Sequence, residues 1–420
     1  MQAENFIILI SLTILISYIS SLVYSLTKVP DVIVLMGFGI FMGPVLGYAD
    51  KVMFDEIAPL MSILALSIIL FEAGINVDIT LLLGSMGKAL VLSTASIMGS
   101  ILLIGFVTSY ILVPGLPFLQ GMLLGAMVGG TSTVAVYGIL SGIGNLIPNL
   151  TSTRVLLTME SILSDPICII SSITIIKLIM QPTFTLRDTV KEITMVFLLS
   201  TALGLSVGVA WARILDRLRT RHYTYMITLA ILLPLYLFSE DFIGEGGGAM
   251  TALMFGLAIT NFRYIMDKFG RDEKVLIDKK RLREFHDEIT FFIKSFFFVY
   301  IGVVVSLSVR YAIFGLILVI LQVALRFGIV EVLSGQFGFT NEEKALSQVV
   351  YASGLPAFVM SQLPQIFDPE GIYFTSSSLY PDLTMPIVLG TIMFSGILGP
   401  KLAQRALMKG DDGEEEQPES

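Results

Sequence analysis

One cysteine, Cys168, stands in a chain of 420 residues, so no internal disulfide framework holds it together. Histidine is almost as scarce. His222 and His286 are both expected in loops, which leaves no histidine switch inside an apolar segment. Charged residues make up only 14%, against about 25% in an ordinary soluble domain. No strand-like alternation of apolar and polar residues runs along the chain, which argues against a transmembrane barrel. No basic stretch offers a nucleic-acid face, and much of the net charge of -8 comes from the C-terminal tail. Neither a phosphate-cradling glycine loop nor a Ser-His-Asp arrangement is present, so ATP-driven pumping and ordinary hydrolysis find no support. Without a Cys or His cluster, a transition-metal site is equally unsupported.

What the chain has instead is apolar length. Hydrophobic residues make up 55%, in blocks of roughly 18 to 25, enough to cross a bilayer core of about 30 Å as helices. The fold class expected is an all-α polytopic membrane protein of 13 helices, over 6–26, 30–48, 56–76, 88–112, 118–141, 154–180, 190–213, 223–239, 247–262, 287–309, 311–333, 343–366 and 381–404. The first block has no basic region before it and reads as a retained helix. Arg263 to His286 is expected to form an amphipathic cytoplasmic helix, and the acidic tail 410–420 to be disordered. With the N-terminus outside and the C-terminus in the cytoplasm, about 19 of the 26 Lys and Arg residues fall on the cytoplasmic side and about 4 outside.

Two of these segments are interrupted in their middles. Predicted helix 5 holds Gly129-Gly130-Thr131-Ser132-Thr133, and predicted helix 12 holds Ser353-Gly354-Leu355-Pro356. Glycine and proline weaken the helical hydrogen-bond ladder. Backbone groups freed at that depth are tolerated only where they line a protein cavity. The segments lie seven spans apart, hence in opposite orientations, as an inverted repeat with two discontinuous helices requires; such a pair points to a transport site at the midplane.

The charges inside the bilayer sharpen this. Ionisable groups there cost at least about 2.5–3.5 kcal/mol on insertion scales, yet predicted helix 6 carries Glu160 and Asp165. Ser161 and Asp165 share one face, as do Glu160 and Ser164, each pair four residues apart, and Pro166 is expected to loosen the ladder. Lys294 and Arg326 supply positive charge in predicted helices 10 and 11. Arginine cannot discharge and needs an anion, which assigns Glu160 to Arg326 as a structural ion pair and leaves Asp165 as the exchangeable acid. The alternative, one static network of all four charges, is disfavoured because apolar side chains usually replace such a network at no cost. Lys177 is expected to snorkel to a headgroup. Asp165 with the hydroxyls of Ser161, Ser164, Thr131 and Ser132 makes a hard-oxygen set suited to an alkali cation.

These residues resemble the monovalent cation:proton antiporter superfamily, in particular its NhaP-type sodium/proton exchangers. The markers are Leu70-Phe71-Glu72-Ala73-Gly74, the helix 5 break, Glu160-Ser161 with Ser164-Asp165, the Gly246-Gly247-Gly248-Ala249 to Asn261 segment, Arg326 and the helix 12 break. The resemblance implies a homodimer in a prokaryotic plasma membrane. It implies one antiporter unit over 1–409, with helices 4–6 and 11–13 as core, 1–3 and 8–10 as dimerisation domain, and helix 7 linking them. It further implies that Asp165 binds cation or proton, with Na⁺ held at Asp165, Ser161 and Thr131, Glu72 near the ion, and no cofactor. Relatives have Asn-Asp where this chain has Ser164-Asp165, and commonly Thr-Asp-Pro where it has Thr131-Ser132-Thr133; smaller hydroxyls predict a weaker, roomier site.

The mechanism expected is competition. Burial favours the protonated carboxyl of Asp165, so proton and Na⁺ (or Li⁺) occupy it in turn while the core rocks. Exchange is 1:1 and electroneutral if Lys294, the charge-compensating residue, keeps its proton, and electrogenic if it releases one. K⁺/H⁺ exchange by the same fold and a passive channel or ion sensor on this scaffold are the rival readings.

Overall fold

The computed structural model describes residues 3–414 apart from 28–30, 50, 78, 133–135, 137–139, 141–149, 181–185, 220, 222, 272, 274, 305–307 and 375. Among the described residues the only regular elements are helices. They are α1 (Ala3–Thr27), α2 (Asp31–Ile40, running on as a wide turn Phe41–Val45), α3 (Lys51–Asn76), α4 (Ile79–Val107, likewise extended over Thr108–Leu112), α5 (Phe118–Val128), α6 (Thr151–Met180), α7 (Leu186–Leu218), α8 (Thr224–Phe242) and α9 (Gly247–Thr260). Then come α10 (Phe262–Lys268), α11 (Lys279–Val304), α12 (Val309–Phe337), α13 (Asn341–Val349), α14 (Leu355–Ser361), α15 (Leu363–Phe367), α16 (Leu379–Met393) and α17 (Gly399–Glu414). Six of the described helices are long and apolar enough to cross a membrane, and α9 with α10 passes the same test as a pair bent by 86°. Leu102, Phe106, Leu198, Leu316 and Ile320 point outward and are more than half exposed. A ring of such side chains is the surface a lipid-solvated bundle presents.

Packing gathers the helices into two neighbourhoods. α4 lies against α5, α6 and α12, and α12 against α16; α9 sits between α7 and α3, and α11 crosses α2 and α3. Small residues allow the close crossings, as is usual where lipid removes the hydrophobic drive between helices. A Cβ on Gly74 or Gly256 would lie within 2.5 Å of the backbone of the facing helix. The end of α9 is tied by Asn261, whose amide donates to the carbonyls of Leu257 and Val77 (both 2.9 Å). A capping box starts α13: Glu343 N–H donates to Thr340 Oγ1 and Thr340 N–H to Glu343 Oε2, each at 3.2 Å.

Several expectations are corrected here. Residues 263–286 are not one amphipathic helix. α10 ends at Lys268, and Gly270 at φ +68° turns the chain out of the helix. The following segment is strapped to α7 by Arg213 Nε on Glu273 (2.8 Å) and Leu276 N–H on Asp216 (3.2 Å). That ion pair holds the Glu273 carboxyl below its usual range. His286 is no loop residue. α11 starts at Lys279, so His286 falls within it, fully buried, with its ring on Phe71 at 4.7 Å. Its ring nitrogens have no partner among the described residues. Lys177 does not simply reach a headgroup; it pairs with Glu245 at 3.2 Å. The last helix runs on to Glu414 and takes in the first part of the acidic tail, because extending a formed helix costs little compared with starting one. Residues 415–420, His222, Thr133 and most of the second half of predicted helix 5 lie outside the described residues.

Candidate functional site

Helix α6 passes unbroken through Pro166, so the expected loosening amounts to one missing N–H and not a break. Its buried face presents Glu160, Ser161, Ser164, Asp165 and Cys168. Facing it, α5 ends at Val128 and the chain leaves the helix over Gly129–Ser132. Two hydroxyls fasten that exit. Ser161 Oγ donates to the Thr131 carbonyl at 3.0 Å, while Ser164 Oγ accepts the Thr131 N–H at 3.1 Å and lies 3.4 Å from Thr131 Oγ1. Ser164 spends its own proton on the Ser161 carbonyl (2.9 Å) or the Thr131 carbonyl (3.3 Å). Gly130 fits because it lacks a Cβ, which would sit 2.9 Å from Cys168 Sγ and 3.4 Å from Ser164 Oγ.

The second non-helical stretch, Val350–Gly354, separates α13 from α14 and crosses the first. The Ser132 N–H donates to the Ala352 carbonyl at 2.7 Å. Ser353 Oγ donates to Val128 O at 2.8 Å, Gln322 Nε2 to Val128 O at 3.0 Å, and the Tyr351 hydroxyl to Gly129 O at 3.0 Å. Carbonyls left over at the end of α5 thus receive donors from α12 and from the other stretch, as buried backbone groups require. Gly354 makes the crossing possible, since a Cβ there would lie 2.3 Å from Ser132 Cβ. Pro356 sits in the first turn of α14, where its missing N–H breaks no bond.

Beside the crossing lies an ion pair. Arg326 meets Glu160 through both guanidinium ends, with Nη2 to Oε2 at 2.7 Å, and both side chains are shielded from solvent, at 0% and 2% exposure. The remaining donors go to the Ser347 carbonyl (2.6 Å) and Ser96 Oγ (2.8 Å), and the guanidinium lies 5.1 Å from the Tyr351 ring centre. Asp165 is placed differently. It is 6% exposed and makes no hydrogen bond or ion pair with any described residue.

The structure therefore brings together Thr131, Ser132, Ser161, Ser164, Gly130 and Gly354, with Glu160 and Arg326 alongside; Asp165 lies one turn after Ser161 on the buried side of α6, and Pro356 two residues after Gly354. It does not bring Lys294 to Asp165. Lys294 Nζ lies 3.5 Å from Glu72 Oε2, between α11 and α3. No described hydrogen bond or ion pair links Lys294 or Glu72 to Asp165; the two sit instead in a cluster with Asp287, whose carboxyl bonds that of Glu72. The reason is geometric: α3 and α11 pack directly together, and an ammonium takes the carboxylate its own neighbour offers. Sequence reasoning missed Tyr351 and Gln322, and read Ser353 only as part of the helix 12 break, not as a donor to Val128. The spacing held a signal for each. Gln322 precedes Arg326 by four residues and shares its face, and Tyr351 and Ser353 flank Ala352 just before Gly354.

A family profile described as "Sodium/hydrogen exchanger, transmembrane" matches residues 11–409. The chain is 26% identical over 269 residues to the K(+)/H(+) antiporter NhaP of Alkalimonas amylolytica, covering 63% of this chain and 45% of that protein. It is 27% identical over 268 residues to the K(+)/H(+) antiporter NhaP2 of Shewanella sp. (strain MR-4), covering 61% and 44%. These matches span less than half the length of the curated relatives. Among solved structures, the sodium proton antiporter MjNhaP1 from Methanocaldococcus jannaschii at pH 8 superposes with a TM-score of 0.79 at 20% identity, over 96% of this chain and 99% of that one. An electron-microscopy structure of the same antiporter gives 0.70 at 21% identity, over the full length of both chains. Identities this low speak for the fold alone.

Proposed function

Because the chain belongs to the sodium/hydrogen exchanger family, we propose that it is a secondary antiporter that exchanges an alkali cation for protons at Asp165. One observation carries the reading: a buried carboxyl with no partner among the described residues lies on the helix face that also holds Ser161 and Ser164. A bare carboxylate in such a place is costly, so it is occupied either by a proton or by a cation. The two occupants exclude each other, which is the coupling an exchanger needs. Ser161, Ser164 and Thr131 supply the further oxygens, and Ser132 lines the crossing. Glu160 with Arg326 acts as the fixed structural pair.

The architecture we assign is 13 spans with the N-terminus outside and the C-terminus cytoplasmic. The two crossing stretches are the discontinuous members of an inverted repeat. The neighbourhood of α4, α5, α6, α12 and α16 makes the moving core, the neighbourhood of α2, α3, α9 and α11 makes the domain that pairs two copies into a homodimer, and α7 joins them. The crossing hydrogen bonds and the division of helix packing support this assignment. Na⁺ is the cation we assign, in keeping with what the solved neighbour is named for. K⁺ is the second reading, favoured by the names of the curated relatives and by the small hydroxyls at positions 132 and 164.

Reconstituted vesicles carrying a pH gradient test this. Adding NaCl, LiCl or KCl in turn is expected to dissipate the gradient with the wild-type chain, and Asp165→Asn is expected to abolish the flux for every cation. A variant that still conducts cations would point to a passive pore; a wild-type chain silent to all three would remove the antiporter reading.

A further inference from the structure

The contacts around the crossing close into a ring. Ser161 holds the Thr131 carbonyl; two residues back, Gly129 O receives the Tyr351 hydroxyl. The Tyr351 ring lies against the Arg326 guanidinium, and Arg326 is locked to Glu160, the neighbour of Ser161. Tyr351 is the one link in this circuit that touches both the ion pair and the end of α5. It is 2% exposed, and its N–H is fixed by Ser395 Oγ at 3.1 Å. Its backbone is therefore fixed by Ser395 and its ring lies against Arg326, while its hydroxyl is spent on a single carbonyl. Ala352 and Ser353 continue the clamp, taking the Ser132 N–H and capping Val128 O.

The geometry points to Tyr351 as a positioning residue for the cation site, with Ser353 as its helper. Resting on the antiporter reading above, the inference is that the Tyr351 hydroxyl sets where the Thr131 oxygens stand relative to Asp165, by holding the chain at Gly129. Tyr351 touches no cation. It acts through the backbone it restrains, and it makes that restraint depend on the Glu160–Arg326 pair. A helix end whose carbonyls are capped by neutral donors keeps its position whether Asp165 carries a proton or a cation, since no donor in the clamp changes charge.

The test separates positioning from packing. Tyr351→Phe keeps the ring on Arg326 and removes only the hydroxyl. In vesicles of the full chain, its apparent KM for the driving cation is expected to rise about fivefold, the size set by one lost hydrogen bond to a buried carbonyl, while kcat stays within about twofold. Ser353→Ala is expected to move KM in the same direction, and it decides the matter should Tyr351→Phe fail to fold. Unchanged KM in both variants overturns the inference, whether or not thermal stability falls, because a merely structural role lowers stability and leaves KM alone. A fall in kcat at constant KM overturns it too. Failure of the wild-type chain to exchange any cation removes the antiporter reading itself, a result distinct from wild-type exchange with unaltered variants.

Discussion

Glu160 and Arg326 show how one residue constrains another inside a bilayer. The guanidinium cannot lose its proton, and the pair is sealed from solvent. Removing one partner strands the other. Arg326→Leu leaves a buried carboxylate uncompensated, which costs about 3–5 kcal/mol, and is expected to abolish the monodisperse species on size-exclusion chromatography. Glu160→Leu with Arg326→Leu removes both charges, and the double variant is expected to melt at a higher temperature than either single one. A double variant less stable than both would show that the pair contributes more than mutual neutralisation. The pairing was expected from the sequence because an arginine at that depth needs an anion and predicted helix 6 offered Glu160, although 166 positions separate the two. The partner of Lys294 was not, because two carboxylates were available and only helix packing selects Glu72.

At the scale of elements, the crossing depends on an absent side chain. Gly354→Ala places a Cβ 2.3 Å from Ser132 Cβ, where backbone holds both sides. Overpacking of this kind costs about 1–3 kcal/mol, and the variant is expected to melt earlier and to lose exchange. Gly328→Ala is the control. It lies within α12 with nothing within 4 Å of its Cβ position, so relief of a mid-helix glycine is expected to stabilise by about 0.5–1 kcal/mol. Paired thermal melts and flux assays compare the two, and equal behaviour would sink the steric account. The loss of helix at 129–132 and at 350–354 was expected from glycine and proline. Their mutual hydrogen bonds were not, because residues 128–132 and 350–354 lie over 200 positions apart and sequence order says nothing of what crosses what. The start of α11 was misplaced for a local reason: its first turns are charged, and hydropathy assigned them to a separate surface helix and not to the apolar span they continue into.

For the whole molecule the question is which charges move. If exchange runs at Asp165 as proposed, then with Lys294 held by Glu72 and Arg326 by Glu160 the proton-loaded and cation-loaded forms would have the same net charge. Moving one uncompensated charge would couple about 2.3 kcal/mol per 100 mV to the cycle; none is expected to move. The rate of Na⁺-driven proton flux should therefore be indifferent to an imposed K⁺ diffusion potential of either sign. A rate that follows the potential would mean that Lys294 releases its proton during the cycle, despite its pairing with Glu72.

By itself the sequence determined the solvent and the helical class, and it named the residue types from which a site is proposed. Those follow from local quantities: runs of apolar residues, hydroxyls and carboxyls at helical spacing, and an arginine that must be neutralised. Only the tertiary structure decided which residues meet. It sent Lys294 to Glu72, buried His286, and set Tyr351 between an ion pair and a helix end. Contacts between helices far apart in the chain depend on how whole faces pack, and no stretch of sequence carries that information alone.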